Sequence, residues 1–403
     1  MPVPARERTT VRIVDVSAFY TPLGGGVRTY VHRKLTAAAA AGHEMIVLAP
    51  GNVESIEERG PGQIIATMVA PRLPVDRRYN YFGDEPRLHA ALDAWRPDLV
   101  ESSSPWASAS MVARWRTSVP KSLVMHADPM SAYAYRWFGG FASIKTIDRG
   151  FERFWAHLRR LDQRYDVIVS ASENLSARLR AGGLGSVVTM PMGVEPGVFS
   201  PTRRDPALRA ALLDSLALPA DATLLLGVGR YSPEKRWDMV IDAAIAAGQS
   251  RPIGLLLVGE GRIRQRLQKR AAGCPHVRIG APVKDRDELA RLMASADALV
   301  HGCEAETFCM VAAEARASGL ALIVPDRGGA ADHAVTGVDL TYRAADAPSL
   351  RTALRTFQPV AAPPAPVVRT MDAHFDDLFS TYRRLVETAA HRDADRPIRV
   401  ARA

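Results

Sequence analysis

Ala298-Leu299-Val300, followed a few residues on by Glu306-Thr307-Phe308-Cys309-Met310-Val311-Ala312-Ala313-Glu314, is the stretch that decides how this chain is built. An apolar triplet reads as a buried strand, and a short polar loop follows it. A helix is predicted to open near Phe308 and to carry Glu314 in its second turn. At the helical rise per residue, Glu306 and Glu314 would stand about 12 Å apart along the axis. That separation is too wide for one acid/base pair but suits the two ends of one extended ligand. The unpaired N–H groups of the helix start, lying between them, favour negative charge. An anionic ligand with hydroxyls at both ends fits this pattern, and a sugar nucleotide has that shape.

The same strand–loop–helix unit recurs outward in both directions. In the second half, Leu224 to Gly227, Leu255 to Val258, Val277 to Gly280 and Ala321 to Val324 read as strands, with a helix over Trp237 to Ala247. In the first half, Val11 to Val16 is a short apolar strand. A Gly24-Gly25-Gly26 loop follows, then a helix from Val27 to about Ala41 that stops at Gly42. Met45 to Leu48, Asp98 to Val100, Ser122 to Met125 and Val167 to Ser170 continue the series. Strands alternating with helices imply parallel sheets covered on both faces. Met192 to Pro201 has the composition of a linker. The expected organisation is a first Rossmann-like domain over 1–195, a second over 196–370, a helix over 371–390 returning to the first domain, and a charged tail over 391–403.

Composition narrows the class. With 403 residues, 47% hydrophobic and 24% charged, the chain reads as a soluble two-domain protein. No apolar run reaches the length of a membrane span. Met1 to Arg12 has three arginines and no apolar core behind them, unlike a signal peptide. Three cysteines, Cys274, Cys303 and Cys309, without metal-type spacing fit a reduced, cytoplasmic protein. The net charge of +9 comes from scattered arginines rather than a basic run. It suits a phosphorylated substrate or an anionic membrane surface better than nucleic acid.

Gly229-Arg230-Tyr231-Ser232-Pro233-Glu234-Lys235 follows the first strand of the second half, where ligands of parallel α/β domains bind. Arg230 and Lys235 could hold a diphosphate there, one as a fork and one as a point charge. A solvated basic turn, with Glu234 as local partner, is the plainer alternative. In the first half, the Gly24-Gly25-Gly26 loop precedes a helix start but lacks a third glycine in dinucleotide-binding register. His126, in Met125-His126-Ala127-Asp128-Pro129, stands at a strand end. Asp128 is a second candidate there, with turn formation or helix capping as its plainer role. Ser104, in Ser102-Ser103-Ser104-Pro105-Trp106, is a candidate for the acceptor pocket. Asp285-Arg286-Asp287 precedes a helix and reads as capping, and Asp393-Ala394-Asp395 falls in the tail. Phe141 to Arg164 forms an amphipathic stretch with a basic side. Packing on the first domain is its expected role, and contact with anionic lipid the alternative. The Arg77-Arg78-Tyr79-Asn80-Tyr81-Phe82 cluster could join that surface or shape the acceptor site.

Taken in order, these motifs resemble family 4 of the retaining glycosyltransferases, whose fold is called GT-B. The donor-half motifs of that family are Gly-Arg-Leu-x-x-Glu-Lys-Gly and Glu-x-Phe-Gly-x-x-x-x-Glu. The Gly24–Gly26 loop, Met192-Gly193-Val194-Glu195, Val258-Gly259-Glu260-Gly261, Ala315 to Gly319 and Gly328-Gly329 extend the likeness over roughly residues 11 to 390. The chain departs from the pattern at Tyr231 (usually Leu), Arg236 (usually Gly), Cys309 (usually Gly) and Glu195 (usually Asp).

The resemblance implies two Rossmann-like domains facing a central crevice, with a C-terminal helix crossing back. It implies transfer of a hexose from a nucleotide-diphosphate sugar to a hydroxyl of a lipid or glycan acceptor, with retention and with no metal or cofactor. Arg230 and Lys235 would bind the diphosphate and offset charge on the leaving group. Glu306 would contact donor sugar hydroxyls, with backbone N–H groups of Phe308, Cys309 and Met310 beside Thr307. Glu314 would grip the ribose, Gly229 would line the loop, and the base would lie near Val283 and Lys284. His126 would face the reacting sugar. Phe375, Phe379, Tyr382 and Leu385 would pack against the first domain. The Glu-Thr-Phe form of the second motif leans toward GDP-mannose over UDP-hexoses. A sugar-nucleotide epimerase of the same fold and a dinucleotide-dependent oxidoreductase are the competing classes. The expected location is cytoplasmic, with the inner membrane face as a candidate contact.

Overall fold

The structure, a computed structural model, describes residues 10–21, 26–74, 79–126, 128, 130–134, 138, 144–359 and 368–394. Gly24, Gly25, Arg77, Arg78, Ala127, Pro129, Phe141 and Asp395 lie outside the described residues.

The first sheet uses β1 (Arg12–Val16), β2 (Glu44–Gly51), β3 (Ser55–Gly60), β4 (Gln63–Val69), β5 (Leu99–Ser102), β6 (Lys121–Met125), β7 (Val167–Ser170) and β8 (Val187–Thr189). Their spatial order is β3-β4-β2-β1-β5-β6-β7-β8. Every pairing is parallel except the outer β3–β4 pair, which is antiparallel. The second sheet, wholly parallel, uses β9 (Thr223–Val228), β10 (Ile253–Val258), β11 (Val277–Gly280), β12 (Ala298–Val300), β13 (Ala321–Pro325) and β14 (Leu340–Tyr342). It runs β11-β10-β9-β12-β13-β14, the doubly wound order, so the chain reverses direction across the sheet between β9 and β12. Two loops diverge at that point, the place where open parallel sheets bind their ligands. The central strands are buried on both faces, as a parallel sheet wrapped by helices requires.

The predicted amphipathic stretch forms two helices rather than one, Ile144–Gly150 and Glu152–Asp162, broken at Phe151. Ile147, Trp155, Leu158 and Leu161 are buried against the first domain, while Arg149, Arg153 and Arg160 are exposed. Of the two roles read from its sequence, packing is the one these contacts describe.

The final helix, Met371–Ala394, extends beyond the expected end near residue 390. Phe375, Leu378, Phe379 and Tyr382 are buried in the core of the first domain, with Leu385 packed at its edge. Tyr382 also completes a buried polar group. Its hydroxyl donates to Glu101 Oε2 at 2.6 Å and lies 3.2 Å from Ser122 Oγ. Lys34 is ion-paired to Glu101 and stands 3.5 Å from Asp15 Oδ2, and Ser103 Oγ donates to Asp15 at 2.5 Å. The two segments joining the domains also bond to each other. Val194 N donates to Arg369 O, and Met371 N donates to Val194 O, each at 2.9 Å. Gly193 permits this crossing, because a Cβ there would fall 2.1 Å from the Thr370 carbonyl.

Lys34 has no exposed surface and is the cation that the buried Glu101 and Asp15 share. Lys34→Met should therefore destabilise the chain by roughly 3–5 kcal/mol, since it strands the acids without a cation. Tyr382→Phe should cost only about 1–2 kcal/mol. Urea unfolding midpoints of the two variants check this order.

Candidate active site

The loop after β9 is fixed from beneath. Trp237, fully buried, donates its indole N–H to Arg230 O at 2.8 Å. Tyr231 is also fully buried, and its hydroxyl donates within reach of Leu257 O (3.0 Å) and Gly280 O (2.8 Å), tying the loop to β10 and β11. Gly259 lies against the same loop so closely that a Cβ would approach Gly229 O to 1.9 Å. With its backbone clamped, the loop presents two different cations. The Arg230 side chain is 74% exposed and only loosely paired with Glu234, at 3.5 Å. Lys235 is largely buried and ion-paired with Glu306.

Glu306 belongs to the loop after β12. The helix begins at Met310 rather than near Phe308, so Glu306 is not on it and the 12 Å helical spacing to Glu314 does not apply. The reason is the backbone of Cys309, which takes the left-handed conformation (φ 68°) and stops the helix from reaching back. His301, the first residue after β12, is buried with its Nε2 3.4 Å from Glu306 Oε1. Burial opposes the charge on Glu306, yet Lys235, with His301, more than offsets it and holds the carboxyl well below its usual range. Burial likewise opposes the charge on Lys235, and Glu306 reverses that and raises its pKa. Each thus keeps the other ionised. Burial lowers His301, leaving its ring neutral at neutral pH.

Two of the departures noted in the sequence now have one explanation. Arg236 (φ 51°) and Cys309 (φ 68°) both occupy the left-handed region, where glycine is the unstrained choice. Each side chain makes contacts that glycine could not. Arg236 Nε donates to Glu304 Oε2 at 2.9 Å, and its Nη2 pairs with the other oxygen, a fork that joins the two loops directly. Cys309 is buried beside Glu306 and His301, their possible ligand atoms lying within 4.8 Å of one another. Lys235 holds the glutamate, and burial pushes the Cys309 thiol far above its ordinary range.

Beyond this centre the site extends in two directions. In the second domain, Glu314 is buried and accepts from Arg286 Nη2 at 2.8 Å. Asp285 caps the helix Arg286–Ser295 by accepting from Glu288 N, as the Asp-Arg-Asp pattern suggested. Val283 packs half-buried on the core of the second domain. Phe308 is buried and accepts at its carbonyl from His333 Nε2 (2.7 Å), and Gly329 backs onto its N–H. Met310 packs against the cores of both domains.

Toward the first domain, Thr307 Oγ1 donates to His126 O at 3.3 Å, so the β12 loop touches the end of β6. Tyr30 packs edge-on against the His126 ring at 4.9 Å, and His126 Nε2 is buried without a hydrogen-bond partner among the described residues. Burial lowers the His126 pKa to about 4, against the pull of Asp15. It is therefore neutral at neutral pH. Asp128 is committed elsewhere: it accepts from Ser131 N at 3.2 Å and is ion-paired with Arg178. Turn formation, its plainer role, is the one these bonds describe. Ser102 and Ser103 are hydrogen-bonded in the core, while the buried Ser104 hydroxyl has no partner among the described residues. Gly26 opens the first helix, and a Cβ there would meet nothing within 4 Å.

The sequence reading passed over His301, Glu304 and, except as part of a cap, Arg286. His301 had a usable signal, its place directly after a strand beside the topological switch. Glu304 and Arg286 had none, because each is defined by a partner far away in the chain.

The left-handed backbone at Cys309 reverses the usual ranking of small residues. Cys309→Gly should remain within about 1 kcal/mol of the parent, because relief of strain offsets lost packing. Cys309→Ala keeps the strain and loses the sulfur, so it should be the less stable of the two. Chemical denaturation of both variants decides the point.

Comparison with known proteins supports the same reading. Residues 24–198 match Glycosyltransferase Family 4, and residues 222–357 match Glycosyl transferases group 1. A GDP-mannose-dependent alpha-mannosyltransferase of Mycobacterium tuberculosis is 32% identical over 328 residues, 80% of this chain and 81% of the relative. A GDP-mannose-dependent alpha-(1-6)-phosphatidylinositol dimannoside mannosyltransferase of the same species is 29% identical, covering 78% and 79%. Among solved structures, a sucrose-phosphate synthase from Thermosynechococcus elongatus superimposes with a TM-score of 0.63 at 21% identity, covering 95% of this chain and 98% of that one. Anabaena HepE in complex with UDP gives 0.62 at 14% identity, covering 96% and 100%. With its two doubly wound domains of the GT-B type and the paired loops of its second sheet, the chain belongs to glycosyltransferase family 4.

Proposed function

We propose that this glycosyltransferase moves mannose from GDP-mannose, with retention of configuration, to a hydroxyl of a lipid or glycan precursor. The observation that carries the reading is the Lys235–Glu306 contact at the switch point, with the Arg230 guanidinium exposed above it. Lys235 and Arg230 are placed to hold a diphosphate and to offset the charge that grows as the sugar–phosphate bond breaks. Glu306 then contacts sugar hydroxyls, Glu314 the ribose, and Val283 the region of the base. The relatives named for GDP-mannose support that donor.

In this mechanism the acceptor hydroxyl attacks from the face that the diphosphate leaves, and a departing phosphate oxygen takes its proton. Neutral His126, its Nε2 without a partner among the described residues, is suited to hydrogen-bond the sugar rather than to carry charge. The reaction needs no metal, because the two cations do that work. Thermal shift with GDP, UDP, ADP and their sugars tests the donor. GDP and GDP-mannose should give the largest stabilisation, and a larger shift with UDP would overturn the assignment. In transfer assays with EDTA present, Lys235→Ala should retain the fold and lose about 100-fold or more in kcat. Near-parental turnover would refute the site.

The lipid side of the proposal rests on a surface of the first domain. No helix among the described residues is long and apolar enough to cross a membrane. Trp106 and Phe138 are nevertheless exposed, packed beside Phe154 and Phe151 of the amphipathic helices, with Arg149, Arg153 and Arg160 exposed nearby in the chain. Aromatic side chains with arginines suit the interface of an anionic bilayer. The chain should co-sediment with vesicles containing anionic lipid at low salt, and less so after Arg149, Arg153 and Arg160 are changed to Glu. Equal sedimentation with neutral vesicles, or none at all, would exclude this contact.

A further inference from the structure

Four charged residues from separate parts of the chain form a line that ends at the ribose site. Arg33 lies on the first helix of the first domain, Gly26–Ala40, and its Nη2 stands 2.5 Å from Glu195 Oε2. Glu195 belongs to the segment that joins the domains, and the same oxygen lies 3.8 Å from Arg286 Nη2. Arg286 opens the helix Arg286–Ser295, packs its guanidinium over the Phe199 ring at 4.8 Å, and donates to Glu314 Oε1 at 2.8 Å. Glu314 is almost fully buried, whereas Arg33, Glu195 and Arg286 are partly exposed.

We propose that Arg286 is a positioning residue for donor binding: it aims the Glu314 carboxylate at the ribose hydroxyls and is itself held by Phe199 and by Glu195, which Arg33 anchors from the first domain. This rests on the reading above that Glu314 grips the ribose. A carboxylate oxygen has two lone-pair directions, so Glu314 Oε1 can accept from Arg286 and from a hydroxyl at once. A planar guanidinium can also face two carboxylates from a fixed position, which a lysine on its flexible stem does less well. One oxygen of Glu195, Oε2, stands within ion-pair distance of both arginines.

The groups around Glu314 act on its carboxyl in opposite directions. Burial pushes its pKa up, Arg286 draws it back, Glu195 adds a rise and Arg33 a fall. The groups facing it are thus Arg286 from its helix, Glu195 from the joining segment and Arg33 from the first domain. Without Arg286 the carboxyl would protonate at a higher pH. Because a neutral acid is a poor acceptor for two hydroxyls, affinity would be lost earlier as pH falls.

The test is calorimetric titration of the full chain with GDP and with 2′,3′-dideoxy-GDP. Arg286→Ala should weaken GDP about tenfold while leaving dideoxy-GDP within about twofold, because only the first has hydroxyls for Glu314 to hold. Arg286→Lys should recover part of the loss. The acid limb of GDP affinity should move to higher pH in Arg286→Ala, and the donor KM should rise more than kcat falls. Glu314→Gln serves as the reference. If it discriminates between the nucleotides and the Arg286 variants weaken both equally, Arg286 is a structural residue and the proposal fails. If Glu314→Gln does not discriminate either, the ribose assignment itself is wrong. Should Arg286→Ala not fold, Glu195→Gln and the lysine variant take its place, with the same ratio of the two affinities as readout.

Discussion

The contact between Lys235 and Glu306 has to be made between two loops that leave neighbouring strands in opposite directions, and much of the second domain is arranged around that demand. An ion pair placed largely out of water is favourable only when its geometry is good and its surroundings are polar enough. Here the β9 loop is clamped by Trp237 and Tyr231, and the β12 loop is backed by Gly329. Arg236 and Glu304 fasten one loop to the other. The pair therefore stands preassembled, and on the function proposed above little reorganisation is left for the moment when the negative charge of a donor arrives. Preorganised charge of this kind is the main catalytic resource of a site that works by electrostatics.

Much of this could be read from the sequence because local pattern and tertiary role coincide. Apolar runs such as Leu255 to Val258 are buried parallel strands, and the loops just after them are where such sheets bind ligands. Arg230, Lys235, Glu306 and Glu314 could be named on that ground together with their motif spacing. The outer strand Ser55–Gly60 escaped notice because it is polar and exposed, held by one antiparallel neighbour instead of an apolar pattern. The start of the helix at Met310 was misplaced because the backbone of Cys309 overrides the apolar run around it. Partners such as Arg286 for Glu314, or Tyr382 for Glu101, depend on distant segments meeting, and no local pattern reports that. His126 and Asp128 illustrate the difference within one loop. Both looked available from sequence, yet Asp128 is taken up by Ser131 and Arg178 while His126 Nε2 has no partner among the described residues.

The substitutions of glycine at 236 and 309 show that a backbone requirement and a side-chain opportunity can be met together. A left-handed residue with a side chain costs about 1–2 kcal/mol relative to glycine. At 236 the fork to Glu304 recovers this by joining the loops, and at 309 burial of the thiol offsets it. The polypeptide path that glycine usually secures is kept, while the wall around Glu306 becomes more crowded.

The final helix has a consequence for how the protein is made. Phe375, Phe379 and Tyr382 belong to the core of the first domain, although some 180 residues of the second domain separate them from β8 in the chain. A ribosome builds the chain from the N-terminus, and domains fold as units once their parts have emerged. The first domain, synthesised first, must wait with an open apolar face and an unfinished Glu101 cluster. The second domain is contiguous and can close before it. The order of maturation is thus the reverse of the order of synthesis, and a protein truncated before residue 371 would lack a piece of its beginning rather than merely its end.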